Sequence, residues 1–318
     1  MAIKQNLKLY KAAERAITQA LRLKKGEGFL LVTDEPKLEI AEALAFWAKK
    51  SGAETTTYLM TESLRPIEGP TRLFKEMAER ASAVAYLLDA RIEEKAFRGY
   101  LVSLAKTNAR VLMMPGITVD MMERLVAVDY AALDVFTKKV MAALRGASDI
   151  RVTNADGTDI SFSVKGRRWA NSNGDIGRKG KHGNLPAGEC YTCPVEASFT
   201  GRIVIRLIDD KLGRGVLDFE RGLLVKWSGR GVEAIVRHIG GDKSGFMIGE
   251  FGVGTNPGAR ICANMLEAEK AFGTVHFALG DSYGLGLNSS KHHYDALVDK
   301  VTLVADGRMI AKNGKYLI

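Results

Sequence analysis

The feature that most constrains this chain is a change of texture at Gly146. Before it, short apolar runs alternate with segments of helical periodicity; after it, strand patterns follow one another across tight turns. "GFLLVTD", ending at Asp34, is an apolar run closed by turn chemistry, which reads as a buried strand. Asp34 offers an N-cap, Pro36 falls in the first turn, and Ala41, Leu44, Ala45 and Ala48 recur at helical spacing before Gly52. "AETTTYLM", "AVAYLLD" and "ARVLMMPG" read as further strands, with "LFKEMAERA" and "EKAFRGYLVSLAKT" as helices between them. Strands separated by helices predict an α/β domain whose mostly parallel sheet is covered on both faces. A helical stretch opening with "MMERLVAVDY" closes this N-terminal domain, residues 1–146.

Residues 147–318 predict a β-rich α+β domain. "DIRVTNADGTDISFSV" holds two strand patterns around Asp156-Gly157, the strongest hairpin signal in the chain. "RIVIRLI", "GLLVKWSG" and "VTLVADGRMIAKNGKYLI" continue the pattern. With no repeat and no long linker, the boundary is expected at a tight hinge near 145–150, where a cleft between the halves can hold a site. All five histidines follow Gly146, which assigns them to this half.

The bulk composition narrows the class of function. No apolar run approaches the ~20 residues of a membrane span, and the N-terminus lacks the apolar block of a secretory leader. Three cysteines do not make a disulfide framework, so a cytoplasmic protein is expected. The net charge of +9 is spread along the chain, apart from a basic stretch over 165–181. That stretch reads as a solvated loop or as a docking surface for a carboxylate or phosphate. Its single aromatic, Trp169, argues against a non-enzymatic nucleic-acid platform, which interleaves several aromatics with its basic residues.

Near the C-terminus, "SSKHHYDALV" sets two histidines beside a tyrosine and an aspartate. If extended, it projects His293 and Asp295 from one face and His292 and Tyr294 from the other. An imidazole and a carboxylate two residues apart on a strand can converge on one ion, suiting Zn, Co, Mn or Fe; the alternative is a polar surface loop. "FGTVHFALGDSYG" places His276 on a strand face with Thr274 and Ala278, opposite Val275, Phe277 and Leu279. Glu189 in "GNLPAGECYTCP" and Glu250 in "MIGEFGVGTNPGA" are carboxylates in glycine-rich surroundings, where burial without a partner is expensive.

Taken in order, "GNLPAGE", "GEFGVGTNPGA", "EKAFGTVHFALGDSY" and "SSKHHYD" resemble the M29 family of thermophilic (T-type) metallo-aminopeptidases. The resemblance covers the whole β-rich half, and "LLVTDEPKLEIAEALAFWAKKSGAE" resembles the family's N-terminal α/β domain more loosely. It implies two divalent ions (Zn, Co or Mn) held by Glu189, Glu250, His276, His293 and Asp295. It also implies catalytic roles for Glu250, as a proton carrier, and for Tyr283, seven residues past His276. The implied activity is hydrolysis of N-terminal residues from short peptides by a metal-bridged hydroxide, in a homodimer. Cys190 and Cys193 depart from the family's usual residues and read as small packing groups near the metals. Short members of the same superfamily are Fe(II)-dependent dioxygenases that open dihydroxypyridine rings. On that alternative, His276, His293 and Asp295 hold one iron, and Glu189 and Glu250 stand behind them or meet the substrate.

Overall fold

The computed structural model of the chain describes residues 6–89 and 91–318. Its contacts divide into two compact units. One comprises the described residues of Met1–Ala131 with Gly174–Ala187; the other comprises Ala132–Asn173 with Gly188–Ile318.

The first unit is built on a wholly parallel five-stranded sheet. Its strand order is Glu54–Met60, Gly28–Asp34, Ala83–Tyr86, Arg110–Met113 and His182–Asn184. Phe29 to Asp34 and all of Ala83–Tyr86 are buried, the near-continuous apolar pattern of strands covered on both faces. The helix Leu38–Lys50 follows the first strand as expected, but Asp34 does not cap it. A short turn of 3₁₀ helix, Glu35–Lys37, intervenes, and the Asp34 carboxylate instead lies 3.3 Å from the buried Arg65 guanidinium. The helix Leu7–Arg15, capped by Asn6, buries Leu9, Ala12 and Ala13 in a segment whose pattern suggested only the lack of a leader.

The expected boundary at 146/147 differs from the observed division on both sides. The helix Tyr130–Leu144 sends Val140 and Leu144 into the core of the second unit. Beyond it, His182–Asn184 pairs in parallel with Arg110–Met113, so His182 belongs to the first unit. Periodicity identifies a helix or a strand but not the sheet that will receive it.

The second unit is built on an antiparallel sheet. At its centre the order is Thr200–Ile208, His293–Val298, Val275–Gly280, Ile248–Gly254, Glu189–Thr192 and Ala170–Ser172. The predicted hairpin pairs Ile150–Thr153 with Asp159–Phe162. Its turn is held by the Asn154 side chain, whose Oδ1 accepts from the Asp156 and Thr158 amides, with Gly157 at φ +107°. One face of the central strands is apolar. Phe251 and Phe277 stack at 5.5 Å and meet Phe162 at 4.8 and 5.9 Å. Because side chains alternate, this fixes the opposite face for Glu250, Gly252, Gly254, His276, His293 and Asp295. Among the described residues no helix is long and apolar enough to cross a membrane.

Truncating the buried aromatic that backs this face should unfold the second unit more easily. Phe277→Ala is expected to cost about 3–5 kcal/mol, read as a lowered urea midpoint by fluorescence. A loss below ~1 kcal/mol would mean the aromatic cluster does not hold the strands.

Candidate metal centre

Four neighbouring strands carry the acidic and imidazole groups in register. Glu189 stands opposite Gly254, Gly252 opposite His276, Glu250 opposite Ala278, Ala278 opposite Asp295, and Gly280 opposite His293. Every charged group or imidazole in this ladder thus faces a glycine or an alanine on one neighbouring strand, which leaves space above the sheet. The space is narrow: a Cβ on Gly252 would fall 2.0 Å from His276 Nε2. The two strands meet at this point only because position 252 has no side chain.

A second layer comes from above. The short helix Met265–Ala268 packs Met265 and Ala268 against Leu207 and Leu297. It delivers the next two residues, Glu269 and Lys270, to the carboxylates. Lys270 is fully buried, with Nζ 2.8 Å from Glu189 Oε1 and also bonded to Glu269 Oε1. Its backbone is fastened by hydrogen bonds to Asn256 and Glu267, and Gly254 packs beneath the chain at Lys270–Ala271.

The result is two adjoining sets of donor atoms, each set within 4.8 Å internally: Glu250, His293 and Asp295, and Glu189, Glu269 and His276. They are joined where His276 Nε2 lies 3.1 Å from Glu250 Oε1 and 3.6 Å from Glu189 Oε2. His293 Nε2 lies 3.6 Å from Asp295 Oδ2, and its Nδ1–H donates to the Asp281 carbonyl at 2.9 Å. That bond aims Nε2 at the acidic groups, the arrangement that metal-ligating histidines use.

Electrostatics show what the cluster lacks. Burial disfavours charge on His276, but the hydrogen bond to Glu250 and the charge of Glu189 outweigh it and push the imidazole up to about 9. Burial opposes charge on His293 as well, and Asp295 and Glu250 bring it to about 9. Glu250 is raised chiefly by burial, and Glu269 is pushed up to about 8 by burial and the charges of Glu189 and Asp295. For Asp295, the adjacent imidazoles overcome burial and lower its pKa. The surrounding carboxylates thus favour positive charge at both imidazoles. Glu189 Oε2, His276 Nδ1 and Asp295 Oδ1 are buried and have no hydrogen-bond partner. Buried carboxylate oxygens and an imidazole nitrogen left without partners, beside further imidazoles and carboxylates, are the donor set of a divalent cation, so the residues fit a metal.

The residues expected to form the site do come together. Glu189, Glu250, His276, His293 and Asp295 share one sheet face, and all belong to the second unit. Tyr283 is 60% exposed and sits at φ +49°, a conformation unfavourable for a bulky residue, with its ring centred 4.5 Å from that of His293. His292 points the other way, against His238 and Tyr294, with Nε2 3.5 Å from Asp242. Cys190 and Cys193 are buried thiols; burial raises both, Cys193 to about 12, so they are packing groups rather than thiolates. Trp169 packs edge-on to Phe251 at the core, and Arg167 pairs with Glu196, so the basic stretch presents no stacking platform there. Three residues of the site escape the sequence reading: Glu269, Lys270 and Tyr191. Glu269 and Lys270 are the "EK" that opens "EKAFGTVHFALGDSY", a motif in which the sequence gives a ligand role to His276 alone. Tyr191 lies two residues after Glu189, the strand spacing that shares a face, and stands opposite Gly252.

A family model described as NicX, 2,5-dihydroxypyridine 5,6-dioxygenase, matches residues 10–318. Among solved structures, the chain is similar to a 2,5-dihydroxypyridine dioxygenase from Pseudomonas putida, with a TM-score of 0.77 and 16% identity over 97% of this chain and 96% of that one. It is also similar to wild-type AmpT from Thermus thermophilus, with a TM-score of 0.74 and 19% identity over 98% of this chain and 99% of that one. At such identities these structures speak for the fold. No curated protein matches the chain by sequence. The superfamily relationship implied by the four ordered motifs, spanning T-type aminopeptidases and dihydroxypyridine dioxygenases, is borne out.

Two consequences can be measured. Gly252→Ala should displace His276 and lose most bound metal while keeping the wild-type far-UV circular dichroism; wild-type metal content in this variant would refute the ladder. Binding should also release protons, because both imidazoles must become neutral and each titrates near 9 when metal-free. Apparent Co(II) affinity is therefore expected to weaken as pH falls from 8 to 6, by ~10–100-fold per unit. A flat profile in isothermal titration would remove the histidines from the ligand set.

Proposed function

We propose, from the premise that the chain belongs to the NicX family of 2,5-dihydroxypyridine 5,6-dioxygenases, that it is a metal-dependent dioxygenase which opens a small dihydroxylated nitrogen-containing aromatic ring. The observation that carries this reading is the family match over residues 10–318, which spans both units and the whole centre. The donor set supports it. His276, His293 and Asp295 are two imidazoles and one carboxylate on adjacent strands, the combination that suits a ferrous ion with open positions. Those three residues would hold the iron, with Glu250 beside them.

A ferrous ion, when bound, supplies the one-electron chemistry that lets dioxygen react with a closed-shell ring. The remaining work falls to the chain. The Asp281 carbonyl keeps the His293 ring from rotating. Glu250, its carboxyl raised by burial, is suited to take a proton from a ring hydroxyl and return it later. Tyr283, held against His293 with most of its surface open, is in reach of a ring lying over that imidazole. In the overall reaction one dioxygen and one ring are consumed. One ring carbon–carbon bond breaks, and both oxygen atoms end in the opened product.

A second reading keeps the superfamily's hydrolytic chemistry: an aminopeptidase with two Zn, Co or Mn ions on Glu189, Glu250, His276, His293 and Asp295, acting on short peptides. The observation in its favour is the second donor set, Glu189, Glu269 and His276. The two readings part in one pair of assays. Iron-loaded protein should consume about one dioxygen per 2,5-dihydroxypyridine lost. His293→Ala should cost more than the ~10–100-fold typical of removing a group behind a ligand. Release of p-nitroaniline from a leucyl substrate by the Zn-, Co- or Mn-loaded protein, without oxygen uptake by the iron form, would overturn the dioxygenase and establish the peptidase.

A further inference from the structure

The buried ammonium of Lys270 has no role in either reading above, yet it sits inside the donor cluster. It is fully buried, 2.8 Å from Glu189 and bonded to Glu269, two of the three members of the second donor set. The third member, His276, faces Glu189 through Oε2, the carboxylate oxygen that Lys270 does not use. We infer that Lys270 is a built-in substitute for a second metal ion: its ammonium neutralises Glu189 and Glu269 and so makes the centre a one-metal site.

The case rests on charge and space. Glu189, Glu250, Glu269 and Asp295 bring four carboxylates together on and above one sheet face, a concentration that needs cations to be buried at all. A dinuclear centre would meet that need with two divalent ions. Here a covalently attached cation meets part of it at the Glu189 end, leaving His276, His293 and Asp295, with Glu250 beside them, to a single ion. An ion among Glu189, Glu269 and His276 would have to share two carboxylates with the ammonium, and like charges at that range in a buried site repel strongly. The chain is fixed where this matters. The Lys270 carbonyl accepts from Asn256, and a Cβ on Gly254 would meet the Ala271 carbonyl oxygen at 2.1 Å, so the backbone carrying the ammonium is pressed against the strand. The position is also unavailable to solvent, which sets Lys270 apart from a surface lysine that swings aside.

This inference deepens the one-metal dioxygenase reading and rests on it, but the two can fail separately. The test counts Co(II) ions per chain by equilibrium dialysis, with the visible spectrum of bound Co(II) as a second readout. Wild type should bind one ion, Lys270→Met two, and the double variant Lys270→Met/Glu189→Gln one again. Two ions in the wild type, or one ion in a folded Lys270→Met, would overturn the inference. If Lys270→Met does not fold, Glu189→Gln in the wild-type background decides the matter. Retention of one ion there supports the assignment of Glu189 to the ammonium, and loss of the ion overturns it. One Co(II) per wild-type chain together with no oxygen uptake by the iron form would sink the proposed function and leave the role of Lys270 standing. Two ions together with oxygen uptake would do the reverse.

Discussion

The structure depends on one constraint: a central strand, Val275–Gly280, must be a hydrophobic core on one face and a charged centre on the other. Phe277 and its neighbours are packed without access to water, while His276, one residue earlier, faces carboxylates. A β-strand can do this because successive side chains leave opposite faces, and a slip of one residue would exchange the two sets. Register is therefore as consequential here as residue identity. The apolar face holds it, since Val275, Phe277 and Leu279 would lose their burial in a pairing shifted by one residue.

The polar face is tolerable only because its charges are matched. Several carboxylates under one roof would each carry a desolvation cost of several kcal/mol if left without partners. The match comes from His276 and His293, whose pKa values the neighbouring carboxylates raise against the effect of burial, and from the ammonium of Lys270. The two kinds of cation are unequal: protons exchange with solvent, whereas the ammonium is written into the chain.

Much of this is legible in the sequence, and the physical reasons divide cleanly. The two textures on either side of Gly146 forecast a mostly parallel sheet and a β-rich α+β half because period and turn chemistry are local. The same local logic places His293 with Asp295 and turns His292 away from them. The ordered motifs collect Glu189, Glu250 and His276 from separate strands. What stays hidden depends on long-range partners. The helix Tyr130–Leu144 looks like the end of one domain and contributes to the core of the next. The short strand His182–Asn184 returns to the first sheet by pairing with Arg110–Met113, far earlier in the chain. Lys270 looks like a helix-end charge, because nothing within its own segment announces that Glu189, on a distant strand, will close over it.

That last case bears on how one fold serves two chemistries. Aminopeptidase-like and dioxygenase-like chains share this architecture, as the TM-scores of 0.74 and 0.77 to the two solved structures make plain. Peptide hydrolysis by a metal-bridged hydroxide needs two Lewis-acidic cations side by side. Dioxygen chemistry needs one redox-active ion with open positions and no second ion competing for its ligands. If the role inferred for Lys270 holds, one cation on the helix side of Glu189 withdraws that carboxylate from a second ion, while His276, His293 and Asp295 keep their places. On this view the retained glutamates are not remnants of a hydrolase but the counter-charges that allow a lysine to be buried where a metal would otherwise sit.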